Sequence, residues 1–298
     1  MKAEVKKAVV LTAGLGTRFL PLSKVLPKEL WPLTDKPAIQ YIIEEVKNSG
    51  IKKIIFVKSF DRKGKEDILG KYFKDSPKLK RLLKKRGKRQ LLKELQILEN
   101  IRKKLSFSEI FQKEPLGDGH AVLQAKNAVG KEAAALLFAD DIVDSKTPAI
   151  RQLMTAFKRY KKPIVALYRL PRESLSSYGI VAVKKVKGRT YRVKGIVEKP
   201  PVKEAPSNLA IVGKYILTPE VFQYLQKRKG GKNGEIILAE VLQDMIADGK
   251  EIYGYELEGK WLECGNKLAY LKSNLHLSLK NSQFKKELKK FLKKEKLI

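Results

Sequence analysis

Short apolar runs alternate with an amphipathic segment in the first part of the chain. Residues 6–13 are centred on Ala-Val-Val-Leu, and residues 54–57 read Ile-Ile-Phe-Val. Between them, residues 37–49 carry apolar side chains at the spacing of one helix face, ahead of Gly50. Those apolar positions are Ile39, Ile42, Ile43 and Val46. A helix between two continuous apolar strands is typical of a sheet covered on both faces, so the pattern predicts an α/β fold.

Further apolar runs predict the rest of the sheet. They lie at residues 136–138, 164–168, 180–183, 191–197, 211–217 and 252–257. Residues 178–197 read as a small β-meander beside the main sheet, whereas residues 66–105 read as mostly helical. At the carboxyl terminus an apolar helix face lies opposite a lysine-rich one, and its members are Phe284, Leu288, Phe291 and Leu292. We find no repeat and no Pro- or Ser-rich linker, which predicts one domain over 1–275 and a basic amphipathic helical extension over 276–298.

The charge balance is unusual. The 298 residues include 64 Lys and Arg against 32 Asp and Glu, a formal net charge of +32. About half of this excess lies in residues 78–104 and 280–298, where basic residues far outnumber acidic ones. A lysine-rich solvated surface is the ordinary explanation, and a face that contacts anionic surfaces peripherally is the alternative. Residues 78–104 contain no aromatic side chain for base stacking, which disfavours nucleic acid as a partner.

The remaining composition favours a cytoplasmic globular protein. No run approaches the roughly 20 apolar residues that a membrane span needs, and the amino terminus lacks the layout of a signal peptide. The single cysteine, Cys264, fits a reducing compartment. With only His120 and His276 beside it, a structural zinc site is disfavoured.

A glycine-rich loop, Ala13-Gly14-Leu15-Gly16-Thr17-Arg18, follows the first strand. It is not the dinucleotide fingerprint, because Phe19 occupies the place of the third glycine, and it is not a Walker loop. Glycines let backbone N–H groups approach phosphate oxygens, and Arg18 and Lys28 supply cations for a triphosphate. An ordinary strand-to-helix turn with two surface bases is the alternative.

Three further motifs carry candidate chemistry. Gln112, ahead of Gly117, offers the donor and acceptor that suit the edge of a base. Asp140-Asp141 ends an apolar strand, where an aspartate can hold Mg²⁺ against a phosphate. Glu198-Lys199 can serve sugar hydroxyls and a sugar phosphate, but adjacent strand residues reach one ligand only if the strand ends or bulges there. Each motif alone also fits a loop, a solvated turn or a surface ion pair.

Read together and in this order, the motifs resemble the bacterial UTP–glucose-1-phosphate uridylyltransferase family over residues 6–274. Gly14-Leu15-Gly16 is similar to the uridylyl rather than the thymidylyl branch. Besides the motifs above, the resemblance rests on Pro27-Lys28-Glu29, Asp35-Lys36-Pro37, Glu114-Pro115-Leu116-Gly117, Gly119-His120-Ala121-Val122, Tyr178-Gly179-Ile180-Val181, Val197-Glu198-Lys199-Pro200, Ala205-Pro206-Ser207-Asn208-Leu209, Gly234-Glu235-Ile236 and Cys264-Gly265.

The resemblance implies a Rossmann-like nucleotidyltransferase fold, with a mixed, mostly parallel central sheet flanked by helices, in homodimers or homotetramers. It also implies residue roles. Uracil and the nucleotide would be held by Ala13, Gly14, Gly16, Gln112 and Gly117, and the triphosphate by Arg18 and Lys28. Glucose-1-phosphate would be held by Gly179, Glu198, Lys199 and Gly213, and Mg²⁺ by Asp140 and Glu263. The chain departs from the family pattern at three positions: Glu263 and Asn266 stand where the family has aspartate, and Asp118 where it often has a small or apolar residue.

The implied reaction is the attack of a sugar-phosphate oxygen on the α-phosphorus of UTP, giving UDP-glucose and pyrophosphate. It requires no covalent nucleophile or general base, because the attacking oxygen is already anionic. Arg18, Lys28 and Lys199 would be the catalytic cations. Two alternatives stay open: a regulatory nucleotide-sugar-binding paralogue with weak catalysis, favoured by Glu263, and a related thymidylyl or other sugar-1-phosphate specificity.

Overall fold

The computed structural model describes residues 4–59, 68–231 and 234–297. Its strands are β1 (Lys7–Thr12), β2 (Pro32–Leu33), β3 (Lys36–Pro37), β4 (Lys53–Ser59), β5 (Ser106–Gln112), β6 (Ala134–Phe138), β7 (Asp141–Asp144), β8 (Ile164–Arg169), β9 (Gly179–Lys187), β10 (Thr190–Glu198), β11 (Leu209–Leu217), β12 (Tyr253–Glu256) and β13 (Lys260–Glu263).

The helices lie between and after these strands. They are α1 (Ala38–Asn48), α2 (Ile68–Phe73), α3 (Pro77–Lys85), α4 (Arg89–Lys104), α5 (Asp118–Gln124), α6 (Lys126–Val129), α7 (Ala149–Tyr160), α8 (Pro219–Lys227), α9 (Leu238–Ala247), α10 (Lys267–Lys280) and α11 (Lys285–Lys294). The predicted α/β class and every predicted sheet strand are therefore present in the structure.

The central sheet has nine strands in the order β5-β4-β1-β6-β11-β8-β12-β10-β9. Strands β5, β4, β1 and β6 run parallel, whereas β11 is antiparallel to both of its main neighbours, β6 and β8. The sheet is mixed, as predicted, but its long parallel region is confined to one half. The predicted meander is a β9–β10 hairpin that pairs with β12 and so extends this same sheet instead of lying beside it.

The sheet is covered on both faces. In β1, Ala8 and Val10 pack into one core and Val9 into the other, because successive strand residues point to opposite faces. The first core contains the apolar face of α1, whose members Ile39, Ile42, Ile43 and Val46 are fully buried. The second core contains the apolar sides of α5, α8 and α9. This two-sided burial accounts for the continuous apolar runs in the sequence.

A small antiparallel ribbon joins two distant parts of the chain. Strands β7 and β13 pair so that Glu263 lies opposite Asp141, and the Cys264 amide donates to the carbonyl of Asp140 over 2.8 Å. The two strands have only four residues each and were not predicted. This ribbon places the Cys264-Gly265 segment beside the end of β6.

The basic segments lie in peripheral helices. Helix α3 has no buried residue, and α4 buries Ile101 only, so most of their lysines and arginines are solvated. Helix α10 runs across residue 276, where we predicted the carboxyl-terminal extension to begin. Helix α11 follows it and buries Leu292, while Phe291 is 53% exposed. Among the described residues, none of the helices has the length and apolar character of a membrane span.

Candidate active site

Two adjoining cavities open at the carboxyl ends of the parallel strands. The first, of about 370 Å³, is bordered by the loop after β1, the end of β5 and the loop before α5. The second, of about 210 Å³, is bordered by β9, β10, β11 and the segment after β13. Asp118, Phe138 and Asp140 line both cavities, so they form the boundary between them. A molecule in one cavity would therefore meet a molecule in the other at Asp140.

The residues predicted to hold the nucleotide surround the first cavity. Ala13, Gly14, Gln112 and Gly117 line it directly. Gly117 has a φ of +92°, and a Cβ on it would lie 2.5 Å from the carbonyl oxygen of Ile236, so the loop requires glycine. The Gln112 Nε2 donates to the Gly117 carbonyl over 3.0 Å, which leaves its Oε1 for a ligand.

Gly16, the fifth residue predicted to hold the nucleotide, does not line the first cavity. Its φ of +68° is left-handed and a Cβ would lie 3.1 Å from Ser23, but it is absent from the lining of either cavity. Its left-handed backbone conformation shapes the loop that carries Ala13 and Gly14, and its contact with the nucleotide stays a prediction.

The two cations predicted to hold the triphosphate line different cavities. The Lys28 ammonium lines the first and forms an ion pair with Asp140 Oδ2. Burial alone would lower the pKa of Lys28, but Asp140, Glu29 and Asp141 outweigh burial and raise it, so the side chain stays charged. Arg18 lines the second cavity instead, where its Nη1 lies 3.4 Å from the Gly265 carbonyl oxygen.

Asp141 is a buried anchor and not a second open carboxylate. Its Oδ1 accepts from Trp261 Nε1 over 2.7 Å and its Oδ2 from the Gly213 amide over 3.1 Å. Burial raises the pKa of Asp141, and the neighbouring charge of Asp140 raises it further. Gly213 lines the second cavity, as expected for a residue at the sugar site, but its N–H is already engaged by Asp141.

The two predicted metal ligands converge at Gly265. A Cβ built on Gly265 would lie 3.1 Å from Asp140 Oδ2, 3.3 Å from Glu263 Oε1 and 3.7 Å from Arg18 Nη1. One oxygen of Glu263 and one of Asp140 therefore both lie beside Gly265, and the other Glu263 oxygen, Oε2, accepts from the Tyr178 hydroxyl over 2.5 Å. Within the described ranges, no group of three or more His, Cys, Asp or Glu side chains could hold a metal by itself.

The sugar-side residues depend on where β10 ends. Glu198 is its last residue and pairs with Gly179, whose missing side chain leaves room for the Glu198 carboxylate. Lys199 follows with a φ of +47°, and its Nζ lies 3.4 Å from Glu198 Oε1. The strand end therefore turns both side chains toward one side, although Lys199 is 59% exposed and lies at the rim outside both cavities.

Sequence reasoning assigned no role to four residues that shape this site. They are Asp118, Asp141, Tyr178 and Trp261. Asp118 and Tyr178 lie in motifs that the sequence analysis recognised, so their location near the site could be predicted but their contacts could not. Trp261 gave no signal, because its link to Asp141 spans 120 residues and depends on the β7–β13 ribbon.

Comparison with known proteins agrees with this geometry. The family model described as nucleotidyl transferase matches residues 7–279. A UTP–glucose-1-phosphate uridylyltransferase of Bacillus subtilis is 41% identical over 289 residues, covering 97% of this chain and 96% of the relative. Its Staphylococcus haemolyticus counterpart is 40% identical over 290 residues, covering 97% and 98%.

A solved structure of a similar protein has the same fold. The UTP-bound UGPase from Acinetobacter baumannii superposes with a TM-score of 0.85 at 34% identity, covering 97% of this chain and 99% of that one. The fold, the arrangement of the two cavities and the similarity over nearly the full length all lead to one conclusion: the chain belongs to the nucleotidyl transferase family, in its UTP–glucose-1-phosphate uridylyltransferase group.

Proposed function

We propose that this protein transfers a uridylyl group from UTP to glucose-1-phosphate and releases pyrophosphate. The observation that carries the proposal is the pair of adjoining cavities that meet at Asp140, one of them bordered by the glycine loop and Gln112, the other by Glu198 and Gly179. A two-substrate transfer needs this arrangement, because both reactants must be held with the reacting atoms in line. The full-length similarity to uridylyltransferases names the substrates.

In this proposal the nucleotide occupies the first cavity. Gln112 would bind the edge of uracil through its side-chain amide, and the backbone of Ala13 and Gly14 borders the same space. Lys28 faces Gly14, since a Cβ on that glycine would lie 3.8 Å from its Nζ. The ammonium is therefore positioned for the phosphates that follow the nucleoside.

The sugar phosphate occupies the second cavity. Glu198 would accept sugar hydroxyls, and Lys199 at the rim would pair with the phosphate. A phosphate oxygen of the sugar then attacks the α-phosphorus of UTP, forming one P–O bond while the bond to the bridging oxygen breaks and pyrophosphate leaves. Arg18 and Lys28, on either side of Asp140, offset the repulsion between the two anions.

The carboxylates of Asp140 and Glu263 fit a Mg²⁺ ion. Both are hard oxygen donors beside Gly265, and a Mg²⁺ site commonly completes its shell with substrate phosphates and water. The ion would supply neutralisation of phosphate charge at the reacting phosphorus. In the part of the chain that the structure describes, no third His, Cys, Asp or Glu completes a group with them, which suits a metal that arrives with the nucleotide.

The direct test is pyrophosphate release from UTP and glucose-1-phosphate in the presence of Mg²⁺, with dTTP and galactose-1-phosphate as alternative substrates. We expect release with UTP and glucose-1-phosphate, and loss of release when EDTA removes the metal. Folded protein that releases no pyrophosphate with any pair would refute the proposal. Faster release with dTTP than with UTP would refute the uridylyl assignment.

We further propose a cytoplasmic homodimer or homotetramer. Leu268, Leu271 and Leu275 form an exposed apolar stripe along α10, between 45% and 61% exposed, which supports self-association. Light scattering coupled to size exclusion would test this, and a monomer at all concentrations would refute it.

A further inference from the structure

Asp118 is fixed by the backbone of two separate segments. Its Oδ1 accepts from the Gly119 amide over 2.7 Å and from the Leu238 amide over 3.0 Å, in the first turns of α5 and α9. The Gly119 amide also donates to the carbonyl of Ile236 over 2.8 Å. Both of these bonds go to Oδ1 and the N–H of Asp118 itself also interacts with the carboxylate, so the acceptor sites of its two oxygens are not all used.

Asp118 also lines both cavities. Within the second, sugar-side cavity it shares the lining with Glu198 and Tyr215. Burial raises the pKa of Asp118, and the charge of Glu198 raises it further, so the two carboxylates are close enough to interact. Burial is the main cause of the raised pKa of Tyr215, and the charges of Asp118 and Glu198 raise this pKa further. Two acidic side chains therefore face one small space.

We propose that Asp118 determines sugar specificity by accepting a hydrogen bond from a hydroxyl group of the hexose, with Glu198 accepting from the same ring. The proposal rests on the uridylyltransferase function proposed above. A neutral polyol is the ligand class that two adjacent carboxylates favour, since each hydroxyl donates without adding negative charge. The same pair disfavours a sugar that carries its own carboxylate, such as a uronic acid.

A purely structural role would need only Oδ1. The two amides at the starts of α5 and α9 are satisfied by that single oxygen, and an asparagine would satisfy them equally. A residue with only this structural role would not need to line either cavity, whereas Asp118 lines both. The UTP ribose, in the first cavity, is the other source of hydroxyl groups, but the proximity of Glu198 and Tyr215 favours the hexose.

The test is Asp118→Asn, which keeps the Oδ1 cap and replaces the Oδ2 acceptor with an N–H donor. We expect kcat/KM for glucose-1-phosphate to fall about 10- to 100-fold, with the KM for UTP and the melting temperature unchanged. With one of the 2-, 3-, 4- or 6-deoxy analogues of glucose-1-phosphate, the variant and the wild type should have equal kcat/KM, because the hydroxyl that Asp118 accepts is then missing. Discrimination against glucuronic acid 1-phosphate should also decrease.

Asp248→Asn is the matched control. Asp248 accepts from the Tyr224 hydroxyl over 2.8 Å at an exposed position and lines neither cavity. We expect its kinetics to equal the wild type. The inference is overturned if Asp118→Asn keeps full kcat/KM for glucose-1-phosphate, if its loss is the same with every deoxy analogue, or if the loss appears in the KM for UTP and disappears with deoxyribose analogues of UTP. Wild-type protein that turns over no sugar phosphate would instead refute the proposed function.

Discussion

Replacing Gly213 with alanine tests whether the close contact between β11 and the end of β6 holds the active site together. A Cβ at this position would lie 2.2 Å from Asp141 Oδ2 and 2.7 Å from the Cβ and Cγ of Phe138. Neither neighbour is the free end of a flexible side chain. Asp141 is held by Trp261 and by the Gly213 amide itself, and Phe138 lies at the boundary of both cavities.

The cost of Gly213→Ala follows from two effects. Overpacking a close contact typically costs about 1–3 kcal/mol, and pushing Asp141 away from an amide that it accepts from costs about 1–3 kcal/mol more. We therefore expect the free energy of unfolding to fall by about 2–6 kcal/mol, which lowers the melting temperature of a chain of this size by roughly 3–10 °C. Turnover should fall as well, because the displaced atoms border Asp140.

Calorimetry and steady-state kinetics at a temperature where both proteins are folded would measure these effects. Gly195→Ala is the matched control, because Gly195 also lies in a sheet strand but a Cβ there would make only ordinary contacts, at 3.7 Å to Gln243 and 3.8 Å to Ala182. We expect that control to stay within about 1 kcal/mol of the wild type. A Gly213→Ala protein as stable and as active as the control would refute the reasoning.

Four other predictions follow from single contacts. Lys199→Ala should raise the KM for glucose-1-phosphate about tenfold or more without changing the melting temperature, since the side chain is 59% exposed. Asp140→Ala should lower turnover by about 100-fold or more, because the variant loses a candidate Mg²⁺ ligand and the partner of Lys28. Trp261→Phe should lower the free energy of unfolding, measured with urea, by about 1–3 kcal/mol, because it leaves a buried oxygen of Asp141 without its donor. Cys264, whose pKa burial and the charge of Asp140 raise to about 12, should not react with a thiol reagent at pH 8 until the protein is unfolded.

Each of these has an outcome that would contradict it. Trp31→Phe serves as the control for Trp261→Phe, because its Nε1 lies 3.4 Å from the Leu26 carbonyl oxygen and makes a weaker bond. If the free energy of unfolding fell equally in the two variants, the Trp261 donor would have no special role in stability. Normal rates in Asp140→Ala or an unchanged KM in Lys199→Ala would remove that residue from the mechanism. Rapid labelling of native Cys264 would show that its burial is wrong.

Sequence patterns predicted the strands that carry an apolar run and missed those that lack one. Strand β1 and helix α1 were recognisable because every apolar position in them is a packing position. Strand β5 was missed because it is at the edge of the sheet and only Gln112 in it is buried, so it has no apolar run. The β7–β13 ribbon was missed because each of its strands has only two apolar residues, which stand between charged ones.

The sequence by itself determined the identity of the chemical groups: a glycine loop with Arg18 and Lys28, an aspartate at a strand end, and an acid–base pair before a proline. The tertiary structure decided which groups face one another. Arg18 lines the second cavity, Gly16 lines neither cavity, and Asp141 is held by Trp261 and the Gly213 amide. Local patterns report the burial of each segment, whereas these contacts depend on strand pairing between residues more than 100 positions apart, which no local period encodes.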